Sequence, residues 1–224
     1  MKKSIRIIFA NQKGGVGKST LCILFANYLA YWKRPVCVID TDIQATIAST
    51  RNFDARTNDG EPPYEVYPLS LDDPEAMEHF MEQSADIEGY QLFDTAGRLD
   101  DDVIGVLLTH ADFIIVPFEM EAKSMMSTSS FLRVMAGLKE RMGVNPRLFL
   151  VPNKYDRRIG TAEELKSLAG RIHEMSGYGI VTPCVHYRAH MMRINTYRIS
   201  DTLLKSAVYE AFKYIVTCIE SQQK

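Results

Sequence analysis

No apolar run in the 224 residues reaches the about 18 positions that a membrane-crossing helix requires. Cysteine is scarce and scattered: Cys22, Cys37, Cys184 and Cys218 form no C-x-x-C pair. That argues against a zinc site or an iron–sulfur cluster and suits a reducing cytosol. Cys22 and Cys37 stand inside apolar runs and are expected to be buried thiols. Met1-Lys2-Lys3-Ser4 leads straight into the first apolar run, which is too short a lead for a signal peptide. A helix-turn-helix domain ahead of that run is accordingly not expected. There is no internal repeat, low-complexity tract or interdomain linker. Nor is there an excess of one charge: the net value is −2, which by itself argues against a nucleic-acid binder.

Apolar side chains, in contrast, make up 46% of the chain, enough for a large core. Charge is also unevenly placed. Residues 1–122 hold 10 Lys and Arg against 20 Asp and Glu, and residues 123–224 hold 16 against 8, balances of −10 and +8. The asymmetry suggests a polyanion-facing surface built mostly from the second half. The alternative is that these cations are spread over a solvated surface.

Seven β-rich runs alternate with helical patterns: Ile5–Ala10, Val36–Asp40, Tyr64–Pro68, Tyr90–Asp94, Phe113–Pro117, Leu148–Asn153 and Ile180–Val185. Helices are expected at about 20–33, 72–85, 99–110, 123–142, 161–176 and 201–221, and loops at Asn52–Pro63 and Tyr155–Thr161. Apolar strands bounded by helices predict a mostly parallel, twisted sheet covered on both faces. The fold class expected is therefore a three-layer α/β sandwich, with residues 1–224 as one domain. In such sheets ligands collect at the carboxyl ends of the strands.

The first strand is followed by Asn11-Gln12-Lys13-Gly14-Gly15-Val16-Gly17-Lys18-Ser19-Thr20. Strand, glycine loop and helix start are the parts of a P-loop. Gly14, Gly15 and Gly17 let backbone N–H groups approach a polyphosphate, and Lys18 can reach its β- and γ-phosphates. The Ser19 hydroxyl is placed to ligate Mg²⁺, and the positive end of the next helix points at the same anion. The generic loop, G-x-x-x-x-G-K-[ST], would have its first glycine where Gln12 stands, and here an additional lysine, Lys13, follows.

The pattern K-G-G-V-G-K-S resembles the deviant Walker A loop of the ParA/MinD ATPases. Further matches extend the resemblance from residue 5 to about 200. Asp40-Thr41-Asp42-Ile43-Gln44 matches the family's D-x-D element, with Ile43 where proline is usual. Leu92-Phe93-Asp94-Thr95-Ala96-Gly97 is similar to its Walker B strand end. The resemblance implies ATP and Mg²⁺ as ligands. Gly14, Gly15, Val16, Gly17, Lys18, Ser19 and Thr20 would hold phosphate, and Ser19, Asp40 and Asp94 would serve the metal. Lys18 and Asp42 would act in hydrolysis, Asp42 on the attacking water. Lys13 would reach across a two-fold axis to a partner's nucleotide, so that ATP drives homodimer formation. Gly97 and residues 95–102 fit a nucleotide-sensing switch, in which Arg98 contacts phosphate or a partner, or else stays at the surface. Asn153 would take the adenine edge, with Thr182-Pro183 beside the base; an ordinary loop amide is the alternative. Glu119–Glu121 would lie at the dimer face.

The second half supplies Arg157, Arg158, Arg188, Arg193, Arg198, Lys205 and Lys213. Arg188, Arg193 and Arg198 recur every five residues among His186, Tyr187, His190 and Tyr197. By resemblance they would contact DNA phosphates without reading sequence, or else pair with local acids. The implied role is a short-form partition ATPase, cytoplasmic and nucleoid-associated, stimulated by a ParB-like partner and without stable membrane insertion. Two alternatives remain open. A MinD-like membrane switch would need a cationic amphipathic terminal helix, whereas residues 209–220 read as a core helix. A metabolic P-loop enzyme of the dethiobiotin-synthetase type would not need Lys13.

Overall fold

The computed structural model describes residues 4–69, 73–97, 102–156 and 161–222. Seven strands form one sheet: β1 (Ser4–Phe9), β2 (Val36–Asp40), β3 (Glu65–Pro68), β4 (Gly89–Asp94), β5 (Phe113–Glu119), β6 (Arg147–Asn153) and β7 (Ile180–Val181). Their order is β3-β2-β4-β1-β5-β6-β7, and every described pairing is parallel. The helices are α1 (Lys18–Tyr31), α2 (Thr46–Ala55), α3 (Pro74–Gln83), α4 (Asp102–His110), α5 (Ala122–Met142), α6 (Ala162–Met175), α7 (Asp201–Leu203) and α8 (Tyr209–Ser221).

The side-chain period of two in β1 explains the layering. Ile5, Ile7 and Phe9 enter one apolar cluster with α1 and α8, while Ile8 and Ala10 enter another with α3, α4 and α5. Both faces of the sheet are thus covered, which is the α/β three-layer architecture. Helix α1 lies deepest: its residues 21–29 are all buried, and Phe25 meets Phe212 of α8 edge to face at 4.9 Å. The α8 stripe Ala211, Phe212, Ile215, Val216 and Ile219 is buried as well, so the terminal helix packs on the core. Cys22 is buried, as expected, but Cys37 is only half-buried, with burial raising its thiol to about 11.

Three local expectations are corrected. The loop placed at Asn52–Pro63 begins inside α2, which the sequence pattern does not reveal. The last strand ends at Val181 rather than Val185, because Thr182 and Val185 donate singly to Leu150 and Pro152 without a continuous ladder. The helix placed at 201–221 is broken by a π turn over Leu204–Val208 between α7 and α8. Residues 98–101, 157 and 158, and with them Arg98, Arg157, Arg158 and part of the proposed switch, lie outside the described residues.

The order of strands places the site. The chain passes from β1 over β4 to β2 and on to the edge strand β3, returns to β4, and then crosses to β5 on the other side of β1. The carboxyl end of β1 therefore lies where the winding reverses, the position at which a crevice opens in sheets of this type.

Candidate nucleotide-binding site

The loop after β1 is held from below by Asn11. Its buried side chain donates to the Pro117 carbonyl (2.8 Å) and the Thr128 hydroxyl (2.9 Å), and accepts from the Lys13 N–H (3.1 Å). Gly15 and Gly17 have φ of +77° and +97°, a region that side chains disfavour. Gly14 needs no such freedom from the protein's side, since a Cβ there would meet nothing. Gly17 is also the N-cap of α1, and among the described residues no side chain caps that helix. Those donors and the helix's positive end are left for an anion.

Asn153 closes the loop from above. It is only 2% exposed, and its Nδ2 donates to the Val16 carbonyl at 2.7 Å, which a Cβ on Gly17 would obstruct. Its Oδ1 is buried with no partner, an acceptor suited to an exocyclic amine such as that of adenine. Gly17→Ala is accordingly expected to lose nucleotide binding and to destabilise the chain by about 1–3 kcal/mol. Titration with a fluorescent nucleotide and urea unfolding measure the two effects. Pro183 is exposed one strand over from Asn153, past the end of β7.

Lys154, a residue that sequence reasoning passed over, adopts φ +55°. Its Nζ donates to the Gly15 carbonyl at 2.6 Å and pairs with Glu119 at 2.7 Å, tying the glycine loop to the end of β5. Nothing in a sequence announces a left-handed lysine. Asn11, in contrast, is the residue type that a buried loop anchor needs.

The carboxylates gather on the neighbouring strands. Asp40 and Asp94 are register partners across β2 and β4, and Asp94 is also level with Phe9 of β1. Asp94 is 0% exposed, and neither of its oxygens has a partner of hydrogen-bond geometry. Burial pushes its carboxyl up to about 7; Ser19 lies close enough to pull against this, as does Lys18, while Asp40 and Asp42 add to it. Asp40 is raised too, by burial first, although Oδ2 accepts from the Ile47 and Ala48 N–H groups at 2.9 Å each and Oδ1 from Asp42 at 3.3 Å. Asp42 is half-buried and accepts from the Gln44 N–H at 2.9 Å.

The two lysines diverge. Lys18 is half-buried, and burial lowers its pKa against the pull of Asp94 and Asp42. Lys13 is exposed. A Cβ on Gly97 would stand 3.3 Å from the Gln12 carbonyl and 3.4 Å from Lys18 Nζ, so the segment after β4 runs against the loop. Two buried, unpartnered oxygens of Asp94 beside Ser19 and Lys18 form an all-oxygen donor set that fits Mg²⁺, a hard cation that prefers such ligands and keeps much of its water.

Arg188, Arg193 and Arg198 are all exposed. They do not share a helical face: Ala189–Arg193 is a short 3₁₀ turn, and the chain beyond it is irregular to Ser200. Two other cations of the second half are engaged, Lys205 with Asp201 (2.8 Å) and Lys213 over the Tyr209 ring.

Sheet order, glycine loop and strand-end carboxylates together define a P-loop nucleotide-binding protein. The model of the CobQ/CobB/MinD/ParA nucleotide binding domain matches residues 7–194, and the chain belongs to that family, whose ParA and MinD branches are ATPases. The chromosome-partitioning ATPase Soj of Thermus thermophilus is 30% identical over 188 residues, which cover 72% of this chain and 74% of Soj. Among solved structures, a putative plasmid partition protein of Borrelia burgdorferi bound to AMPPNP has a TM-score of 0.71 at 18% identity, covering 96% and 99% of the two chains. A substituted form of Cyanothece McdA in complex with ATP has a TM-score of 0.77 at 12% identity, covering 98% of each.

Proposed function

We propose that the chain is an ATP-gated dimerising ATPase of DNA partition or segregation, which binds DNA without reading its sequence and is stimulated by a ParB-like partner. The observation that carries the reading is the divergence of the two loop lysines. Lys18 turns into the site, where it would hold the β- and γ-phosphates, while Lys13 stands exposed on the loop's shoulder and is free to serve a second copy's nucleotide. The partition role of the Soj and Borrelia proteins supports the same assignment.

The chain's own groups divide the chemistry. Loop N–H groups and the first turn of α1 bind phosphate, and Asn153 Oδ1 accepts from the base. Ser19 and Asp94 would hold Mg²⁺, with Asp40 next to them; when bound, the ion neutralises charge developing on the phosphates. Asp42, near the surface, orients the attacking water. The whole 1–224 chain acts as one unit in this reading, with Pro183 beside the base.

DNA would be met by Arg188, Arg193 and Arg198, which are exposed in the +8 half. Labelled duplex of random sequence, titrated with salt, tests this with AMPPNP, ADP and no nucleotide. Binding is expected with AMPPNP alone, with log K falling by about 0.9 per phosphate contact for each log unit of salt. Equal binding in all three states, or none, would overturn it. The membrane alternative is not favoured: the apolar stripe of α8, which an interfacial helix would have to present to lipid, is buried in the core.

A further inference from the structure

Helix α2 has no local cap. Ala45 precedes it with φ +44° and offers no side-chain acceptor, and the N–H groups of Ile47 and Ala48 are instead received by Asp40 Oδ2. The first turn of α2 thus hangs on a carboxylate of the nucleotide site.

The buried face of α2 carries two charged residues, Arg51 and Asp54. The Arg51 guanidinium lies between the Tyr64 and Tyr197 rings, 4.8 and 5.0 Å from their centroids. It donates to the Tyr64 carbonyl (2.7 Å), the Thr196 hydroxyl (3.1 Å) and the Thr196 carbonyl (3.3 Å). Asp54 Oδ2 accepts from the Thr196 N–H (2.7 Å) and hydroxyl (2.8 Å), and Oδ1 accepts from Asn195 Nδ2 (3.0 Å). Asn195 in turn receives the N–H groups of Tyr197 (2.8 Å) and Arg198 (2.6 Å) on its Oδ1. From α1, Asn27 donates to the Asn195 carbonyl at 3.1 Å.

Burying an arginine and an aspartate is costly unless every polar atom finds a partner, and no buried polar atom of either is left without one. Apolar packing would hold a loop against a helix equally well. Directional bonds add a fixed geometry for 195–198, the turn between the exposed Arg193 and Arg198. At 1.5 Å per residue the ten residues of α2 span about 15 Å. One end meets Asp40 and the other meets this turn.

We propose that Arg51 and Asp54 are positioning residues for the DNA-contacting arginines Arg193 and Arg198, and that α2 ties the placement of that segment to the nucleotide site through Asp40. The inference rests on the DNA-binding reading above. A ligand that draws on the Asp40 oxygens competes with the N–H groups of Ile47 and Ala48. A displacement there shifts α2 as a body, and Thr196 with it, the kind of small helix shift by which sites are coupled.

The full-length chain tests this with labelled random duplex and AMPPNP, over about 50–200 mM salt. Asp54→Ala and Asn195→Ala are expected to weaken DNA binding about tenfold and to lower the salt slope by about 1–2. Affinity for a fluorescent ATP analogue should stay within about twofold of wild type, which a general loss of folding would not permit. Asn195 lies outside the helices, so its variant carries the test if Asp54→Ala folds poorly. Amide exchange at 195–198 should respond to AMPPNP in the wild type and lose that response in the variants. Variants with wild-type DNA affinity and slope would overturn the coupling alone. A parallel fall in nucleotide and DNA affinity would do the same, marking the network as structural only. A wild type that binds no DNA in any nucleotide state would instead overturn the function reading, and this coupling with it.

Discussion

Lys13→Ala is expected to bind nucleotide as the wild type does, yet to lose the nucleotide-dependent dimer and at least about 10³-fold in turnover. In the proposed reading, phosphate would be held by the N–H groups around Gly15 and Gly17, by Lys18 and by the first turn of α1, none of which uses the Lys13 side chain. That side chain is exposed, and its backbone is fixed by the bond to Asn11 Oδ1 at 3.1 Å, so its removal leaves the loop's shape unchanged. Light scattering with AMPPNP reports the dimer, phosphate release reports turnover, and a fluorescent nucleotide reports binding. A variant that still dimerised and turned over normally would end the reading in which two chains complete the site.

The second large effect concerns Asp94. Its carboxyl is pushed up to about 7 from an ordinary 3.8, with burial as the first cause. The sign follows from linkage: between pH 4 and 7 the folded chain holds a proton that the unfolded chain has lost, so stability falls as pH rises through that window. The rise from 3.8 to about 7 corresponds to roughly 4 kcal/mol lost by pH 8 relative to pH 4 from this group, when no ligand compensates. Asp94→Asn should therefore make the nucleotide-free protein more stable at pH 8, by about 2–4 kcal/mol, and flatten that part of the profile. The same change removes the anionic oxygens facing Ser19, so Mg²⁺-dependent tightening of nucleotide binding should disappear. Urea unfolding at pH 5 and 8, with nucleotide titration in Mg²⁺ and in EDTA, reads both effects. A less stable Asp94→Asn at pH 8 would contradict the account of Asp94 as a strained, ligand-awaiting anion.

The strands and the glycine loop were legible because each carries its own local signal. Short apolar runs closed by turn residues and alternating with helical stretches fit parallel strands buried on both faces, as β1, β4, β5 and β6 are; the edge strand β3 is mostly exposed. Helix α2 was not legible, for two physical reasons. Its buried stripe contains Arg51 and Asp54, so hydrophobic periodicity fails. Its cap is Asp40, seven and eight residues upstream of the N–H groups it receives, so no start signal stands next to it. The π turn at Leu204–Val208 escaped for a related cause, since its apolar residues keep a helical period while the backbone widens. Within the site, Lys18, Ser19 and the strand-end aspartates stand at positions given by motif spacing; the residue type of Asn11 suits a loop anchor but its partners Pro117 and Thr128 are far away in sequence, and the bond of Lys154 to the Gly15 carbonyl has no sequence signal. The ion pair of Glu119 with Lys154 likewise has no local signal, since the two residues stand 35 positions apart.

The borrowed cap of α2 also bears on the order of folding. A ten-residue segment with two threonines, an unfavourable Ala45 and no local acceptor has almost no tendency to be helical alone. It can close only after β2 has brought Asp40 into place beside β4. Helix α2 should thus be among the last elements to condense, with φ-values near 0 for substitutions such as Ala48→Gly, while positions in β1 and α1 register early. Local opening of the native state should begin at the same helix.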